Sequence, residues 1–422
     1  MSLPLLLGSC GEKSSPEGSK STGDNQTAPS EEVKPKLEYE IKSDEVTITD
    51  CNEAVTGELI IPDTIEGNPV TSIGDGAFRF CTGLTSITIP DSVTSIGDEA
   101  FYQCSSLASI TIPDSVTSIR KHAFSECSSL KSITIGDSVT NIGLLAFYAC
   151  SSLTNITIGN GVTSIGESAF YGCSSLPSIT IPDSVISIGE GAFCACRGLT
   201  SITIPEGVTS IGEAAFASCS SLTRIEVSAE NLHYTDVNGL LFNKEKTALH
   251  TYLAAKTGAN YVIPDGVTSI GGLTFSHCTR LTSITIPDSV TSIGRNAFWR
   301  CSSLTSITIP DSVTSIGWWT FCECTSLTSI KIPDSITSVG VRAFFNCSSL
   351  TSITIPHNVT YIESKAFASC SDLTSITFLG DEPKVAENAF EEASPTIYRK
   401  PDAKGWGDTF GGRPVKLISE KP

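Results

Sequence analysis

The sequence predicts a solenoid, a stack of short strand-rich coils, and three observations carry that prediction. A 23-residue sentence, LTSITIPDSVTSIGDEAFYQCSS from Leu84 to Ser106, returns in altered spelling from about Val70 to Ala393. Phenylalanine marks the beat, every 23 residues from Phe78 to Phe216 and again from Phe275 to Phe390. Cysteine follows three residues behind in coil after coil, as Cys81, Cys104, Cys127, Cys150 and Cys173. A fixed period in the range of about 20–50 residues means repeating units that stack.

The chemistry of one unit explains why it stacks. Leu84, Ile87 and Ile89 fall on an extended segment, with Ser86 and Thr88 on its opposite side. Pro90-Asp91 turns the chain, Pro by its fixed dihedral and Asp by capping with its side chain. Val93 and Ile96 make a second, shorter strand, and Gly97 turns again. Ala100, Phe101 and Cys104 then suggest a helical turn that brings Phe and Cys inward. Such a coil has two open edges and an apolar face that only neighbours above and below can bury, so stability sums over coils and interfaces.

The pattern LxxIxIPxxVxxIxxxAFxxC, from Leu84 to Cys104, resembles the BspA-like class of leucine-rich repeats over about three-quarters of the chain. The resemblance implies a leucine-rich-repeat solenoid, a β-rich right-handed superhelix of stacked 23-residue coils with short strands and short helical turns. It also implies a secreted or surface-anchored bacterial protein of the kind described as adhesins. The pattern departs from ordinary leucine-rich repeats by using Ile at inner strand sites and by lacking their recurrent Asn. Its hold on architecture is strong and on ligand slight, because function lives in sites carried on a fold.

Composition narrows the function classes. The 422 residues carry a formal net charge of -18, and that acidic balance argues against nucleic-acid binding, which calls for a basic footprint. No apolar run is long enough to span a bilayer. The 16 cysteines invite a disulfide or metal reading, but one per coil at a fixed place reads as a buried column of small apolar side chains. Cys194/Cys196 and Cys322/Cys324 lack the second pair that a zinc site needs.

Taken in order, residues 1–10 end in Leu7-Gly8-Ser9-Cys10 and read as the remnant of a lipoprotein signal, with Cys10 as the lipid acceptor. The basic n-region of such signals is missing, which a truncated start would explain; the alternative is a chance apolar start. Residues 11–38 are rich in Ser, Pro, Glu, Lys and Gly and read as a disordered tether. Residues 39–69 alternate like a strand pair and are expected to cap the first coil, whose edge is otherwise open. Residues 70–393 form the solenoid. Its one irregularity is the 59 residues between Phe216 and Phe275, two periods plus thirteen, which means one enlarged coil near 228–262. There Phe242 is expected at the phenylalanine site and Asn243-Lys244-Glu245-Lys246 as a hairpin turn. Residues 394–422, with Trp406 and Phe410, are expected to cap the far end.

Neither catalysis nor a cofactor or metal is expected. The five histidines are scattered, no nucleophile or phosphate-loop motif appears, and the glycines belong to turns. A column of aspartates, Asp91, Asp114, Asp137 and their successors, recurs at one turn. Neighbours about 5 Å apart repel in water by only ~0.8 kcal/mol, so turn capping is the favoured reading and calcium bridging the second. The variable positions are more telling. Three of the four tryptophans fall in two adjacent coils, and arginines flank them. Trp299, Arg300, Trp318 and Trp319, with Arg295, Arg342 and Phe345 around them, are therefore the candidate ligand-binding residues, since aromatics beside arginine anchor interfaces; the plain alternative is that the rings pack on each other. The expectation is a lipid-anchored binding protein of the cell surface or outer membrane, secreted if Cys10 is not lipidated. Its partner would be a host matrix protein, a glycan or another cell-surface macromolecule. The alternative is a structural or spacer module of the cell envelope.

Overall fold

A computed structural model describes residues 37–421; Cys10 and most of the expected tether lie outside them. The chain is a β-solenoid of about 15 stacked turns of roughly 23 residues. Most regular coils give two strands, one to each of two parallel ladders. In one, Gly83–Thr88, Ser109–Thr111, Ser132–Ile135 and Asn155–Ile158 run side by side, with Ile87 opposite Ile110 and Ile133 opposite Ile156. In the other, two-residue strands from Ser95–Ile96 to Ser210–Ile211 pair in the same one-coil register. The alternation read from sequence holds, with Ile87 and Ile89 buried and Thr88 exposed. That is what a period of two gives a strand with one wet face.

The third side departs from the expected helical turn. Among the described residues the one helix is a 3-10 turn at Ile418–Glu420. In the repeats from Phe78 to Phe367, the residues two before and two after each phenylalanine adopt left-handed backbone, for example Glu99 and Gln103 at φ 56°. A helix would spend its N–H groups within the coil. Here the left-handed residues tip alternate peptides along the stack, so Glu99, Phe101 and Gln103 donate to the carbonyls of Lys121, Ala123 and Ser125 at 2.9, 2.8 and 2.9 Å. A left-handed residue other than glycine costs roughly 1–2 kcal/mol, and the inter-coil bonds that it makes possible offset that cost.

Inside, the phenylalanine rings stack in two runs, from Phe78 to Phe216 and from Phe275 to Phe390. Phe78 and Phe101 stack at 5.1 Å and 3°, Phe147 and Phe170 at 5.2 Å and 1°. Every cysteine from Cys51 to Cys370 is a free, buried thiol. These thiols also bridge coils, since Cys104 and Cys127 donate to the carbonyls of Phe78 and Phe101 at 3.0 and 3.1 Å. Burial pushes the Cys150 thiol up to about 12, which keeps it protonated and inert. At the proline turn, Asp91 is exposed and serine does the tying: Ser92 Oγ donates to Val70 O at 2.7 Å. Val93 N closes the turn on Pro90 O at 3.0 Å. At Asp91 a hydroxyl bond to the coil before thus stands in place of side-chain capping, whereas Asp137 Oδ1 accepts from Asn160 N of the next coil at 2.7 Å.

Both ends are covered. Leu37–Lys42 runs antiparallel to Glu45–Cys51, which lies parallel to Asn68–Ile73. At the far end Thr396–Arg399 and Arg413–Leu417 extend the ladder of Ser375–Phe378. Trp406 and Phe410 pack on Phe378 at 5.0 and 5.2 Å.

The enlarged coil is a seam. Tyr234–Val237, Leu240–Asn243 and Ala248–Thr251 form an antiparallel meander there, with the expected turn after Asn243. Phe242 is buried on the middle strand; the phenylalanine site belongs to Tyr252. It lies 23 residues before Phe275, its ring is 5.0 Å from that ring, and its N–H donates to Thr274 O at 3.1 Å. The thirteen extra residues precede this site, so the count runs backward from Phe275. On the upstream side the ladder of short strands ends at Ser210–Ile211, and side chains take its place. Ile211 N donates to Tyr234 Oη at 2.8 Å and Ile211 O accepts from His250 Nε2 at 3.1 Å. Asn231, fully buried, donates to Pro205 O and Val208 O at 2.7 and 3.0 Å and accepts from His233 N and Tyr234 N at 2.9 and 2.8 Å. All four of its hydrogen-bonding positions are filled.

Candidate functional site

The variable residues lie on the turn side, where the backbone ladder fixes each Cα and leaves the side chains to differ. Asn296 N donates to Trp318 O at 3.0 Å, Trp319 N to Val341 O at 2.9 Å, and Arg342 N to Ser364 O at 3.0 Å. Trp319 and Arg342 occupy the left-handed position two before phenylalanine, at φ 60° and 52°. Successive coils thus present Trp318-Trp319 beside Arg342 and Phe345.

The seven candidate residues divide into two groups. Trp299 is 8% exposed. Its Nε1–H donates to Glu323 Oε1 at 3.3 Å, and its ring meets His277 edge-on at 4.6 Å. Arg300 lies over that indole at 4.8 Å and pairs with Glu323 at 2.9 Å. Arg295 reaches back across the seam to Glu190 at 2.5 Å and Glu213 at 3.6 Å. These three are engaged within the protein. Trp318, by contrast, is 56% exposed. Arg342 sits over Trp319 at 4.6 Å and faces Phe345 at 5.5 Å, and it has no carboxylate partner among the described residues. A ridge remains, made of the exposed Trp318 and the half-buried Trp319, Arg342 and Phe345.

His277 belongs to the seam. Its Nδ1 lies 3.0 Å from Ser218 Oγ and 2.9 Å from Ser276 Oγ, and burial, with the nearby Arg300 and Arg197 charges, pushes it down to about 4. Sequence reasoning missed this contact because Ser218 and His277 are 59 residues apart and only the enlarged coil brings their turns together. Among the described residues no group of three or more His, Cys, Asp or Glu could hold a metal ion, and no helix is long and apolar enough to cross a membrane.

With this geometry in view, the comparisons are specific. The model of the BspA type leucine rich repeat region matches residues 58–173, 140–253, 249–374 and 291–397. A leucine rich cell surface protein from Faecalibacterium prausnitzii is similar at 31% identity and TM-score 0.66, over 91% of this chain and 99% of its own. A leucine-rich repeat protein from Bacteroides ovatus is similar at 30% identity and TM-score 0.55, over 93% and 100%. Another, from Eubacterium ventriosum, has 26% identity and TM-score 0.59 over 86% and 94%. No protein of curated function matches. The chain belongs to the BspA-type leucine-rich repeat family.

Proposed function

We propose that this protein is a non-catalytic binding protein of a bacterial cell surface, adhesin-like, which meets an extracellular macromolecule with the ridge of Trp318, Trp319, Arg342 and Phe345. The observation that carries this reading is a 56% exposed tryptophan on a rigid backbone, beside a guanidinium stacked on rings. Elsewhere on the turn side, large aromatic rings such as Trp299 are engaged inward. Aromatic side chains give large contact area at small entropic cost, and arginine adds directional donors. The cell-surface description of the Faecalibacterium relative supports the location, and a lipid on Cys10 would supply the anchor. Detergent-phase partition of the full-length precursor, abolished by Cys10→Ala, tests that anchor.

The binding role is tested on an array of matrix proteins and glycans with the full chain and Trp318→Ala. Loss of about 2 kcal/mol of affinity for a captured ligand, with an unchanged unfolding midpoint, is the expected result. Equal capture by both proteins, or no capture by either, would remove the reading and leave the spacer role.

A further inference from the structure

We infer that the ligand of this ridge is a carboxylated polysaccharide, with Trp318 as the platform for a sugar ring and Arg342 as the carboxylate clamp. The inference rests on the binding role proposed above and names its ligand class.

Charge distinguishes this stretch from the rest of the turn side. In the six positions from three before to two after each phenylalanine, the seven coils from Phe78 to Phe216 carry seven acids and two cations. The same positions in the five coils from Phe275 to Phe367 carry four cations and one acid. That acid, Glu323, is taken up by Arg300 and Trp299. The four cations of this island are not equally free: Arg300 pairs with Glu323, Arg295 with Glu190 and Glu213 from across the seam, and Lys365 with Glu391 of the next coil, which leaves Arg342 as the charge that favours an anionic ligand.

Within the island the three arginines differ. Arg295 and Arg300 are held by glutamates, whereas Arg342 lies on two rings and has no carboxylate partner among the described residues. A guanidinium stacked on an indole keeps its planar fork of donors free at the edge, and that fork matches a carboxylate in two parallel hydrogen bonds. Trp318, one residue before the ring that carries Arg342, offers an open apolar surface against which the C–H face of a sugar can lie. An acidic peptide would use the arginine too, but peptides commonly add affinity by pairing with an open strand edge. None is offered here, because the N–H groups of Trp319 and Arg342 are already spent on the next coil. Recognition falls to side chains, as suits a sugar.

The probe is hyaluronan, a polymer with a carboxylate in every disaccharide, compared with its carboxyl-reduced form on the immobilised full chain. Expected are retention of hyaluronan, at least about tenfold weaker retention of the reduced polymer, and a loss of about thirtyfold in Trp318→Ala and of at least about tenfold in Arg342→Asn. Asn is chosen because Asn296 fills the equivalent left-handed site one period before Trp319. Arg342→Lys should fall between, keeping charge without the fork. Unfolding midpoints of all variants should match wild type, so that lost binding is not lost folding. Equal retention of both polymers, or retention of neither polymer while a matrix protein or acidic peptide still binds in a Trp318-dependent way, would overturn the sugar assignment alone. Wild-type behaviour of the ridge variants toward every captured macromolecule would overturn the binding role as well.

Discussion

Coils on the two sides of the enlarged coil have one interior and two exteriors. Upstream, Phe101 and Phe124 stack at 5.2 Å; downstream, Phe298 and Phe321 stack at 5.3 Å. The thiol-to-carbonyl bond measures 3.1 Å from Cys150 to Phe124 and 3.1 Å from Cys324 to Phe298. The turn sides share nothing comparable. Upstream, acids dominate and Tyr148 stacks on Tyr171 at 5.2 Å; downstream, from Phe275 to Phe367, acids give way to arginines and an exposed tryptophan, before Glu387, Glu391 and Glu392 return in the last coil. Burial on all sides fixes what a coil must place inward, and the ladder fixes the backbone. Only outward side chains are left to vary, which is where a repeat protein can build a site without disturbing its stack.

The seam between these blocks is where the comparison breaks most easily. Asn231→Ala would leave Pro205 O, Val208 O and the His233 and Tyr234 N–H groups without their buried partner. A cost of about 2–4 kcal/mol is expected, since an orphaned buried polar group costs about 1–3 kcal/mol. Denaturant unfolding should then split into two transitions, one for each block. A single transition at an unchanged midpoint would mean that Asn231 is not what couples them.

A smaller effect is expected from acid. His277 titrates near 4 in the folded protein, against about 6.5 for an unperturbed histidine. As pH falls below about 6.5 the unfolded chain takes up this proton first, so folding stability declines until about pH 4 and this group adds no further loss below that. With partial solvent screening the loss is on the order of 2 kcal/mol. His277→Asn, which tolerates the φ of 58° there, should flatten that slope relative to wild type in urea titrations at pH 7 and pH 4.5.

The smallest expected effect is a gain. Leu145 holds a left-handed φ of 56°, whereas Gly191 fills the same position two coils on at 61°. Leu145→Gly should raise stability by about 0.5–1 kcal/mol, the relief of left-handed strain less the flexibility that glycine adds to the unfolded chain. A lower unfolding midpoint would mean that the lost leucine contacts outweigh that relief.

Much of this was legible in the sequence, for a physical reason. Inward sites repeat because every coil meets the same neighbours, so Ile87, Phe101 and Cys104 declare their places by period alone. The left-handed turns were not legible, because Glu99, Leu145, Trp319 and Arg342 share no side-chain type that favours positive φ. Ala-Phe within such a turn looks helical until the inter-coil bonds are seen. Phe242 misled because it carries the expected residue type while Tyr252 carries the expected spacing. Of the candidate site, period placed all seven residues on one side. It could not tell Trp299, drawn inward by Glu323, from Trp318, which has no such partner among the described residues.

The central claim is that coils are interchangeable inside and that outward residues alone make the site, and a graft tests it most directly. Leu144 and Leu145 stand where Trp318 and Trp319 do, and Glu167, Ser168 and Tyr171 where Val341, Arg342 and Phe345 do. In a Trp318→Ala/Arg342→Asn background, the four changes Leu144→Trp, Leu145→Trp, Glu167→Val and Ser168→Arg rebuild the ridge seven coils upstream in period, with Tyr171 in place of Phe345. Hyaluronan affinity of the grafted full chain is measured against wild type. Recovery to within about threefold of wild type, well above the ungrafted Trp318→Ala/Arg342→Asn background, is predicted; a graft that folds with the wild-type unfolding midpoint and binds no better than that background would contradict the claim.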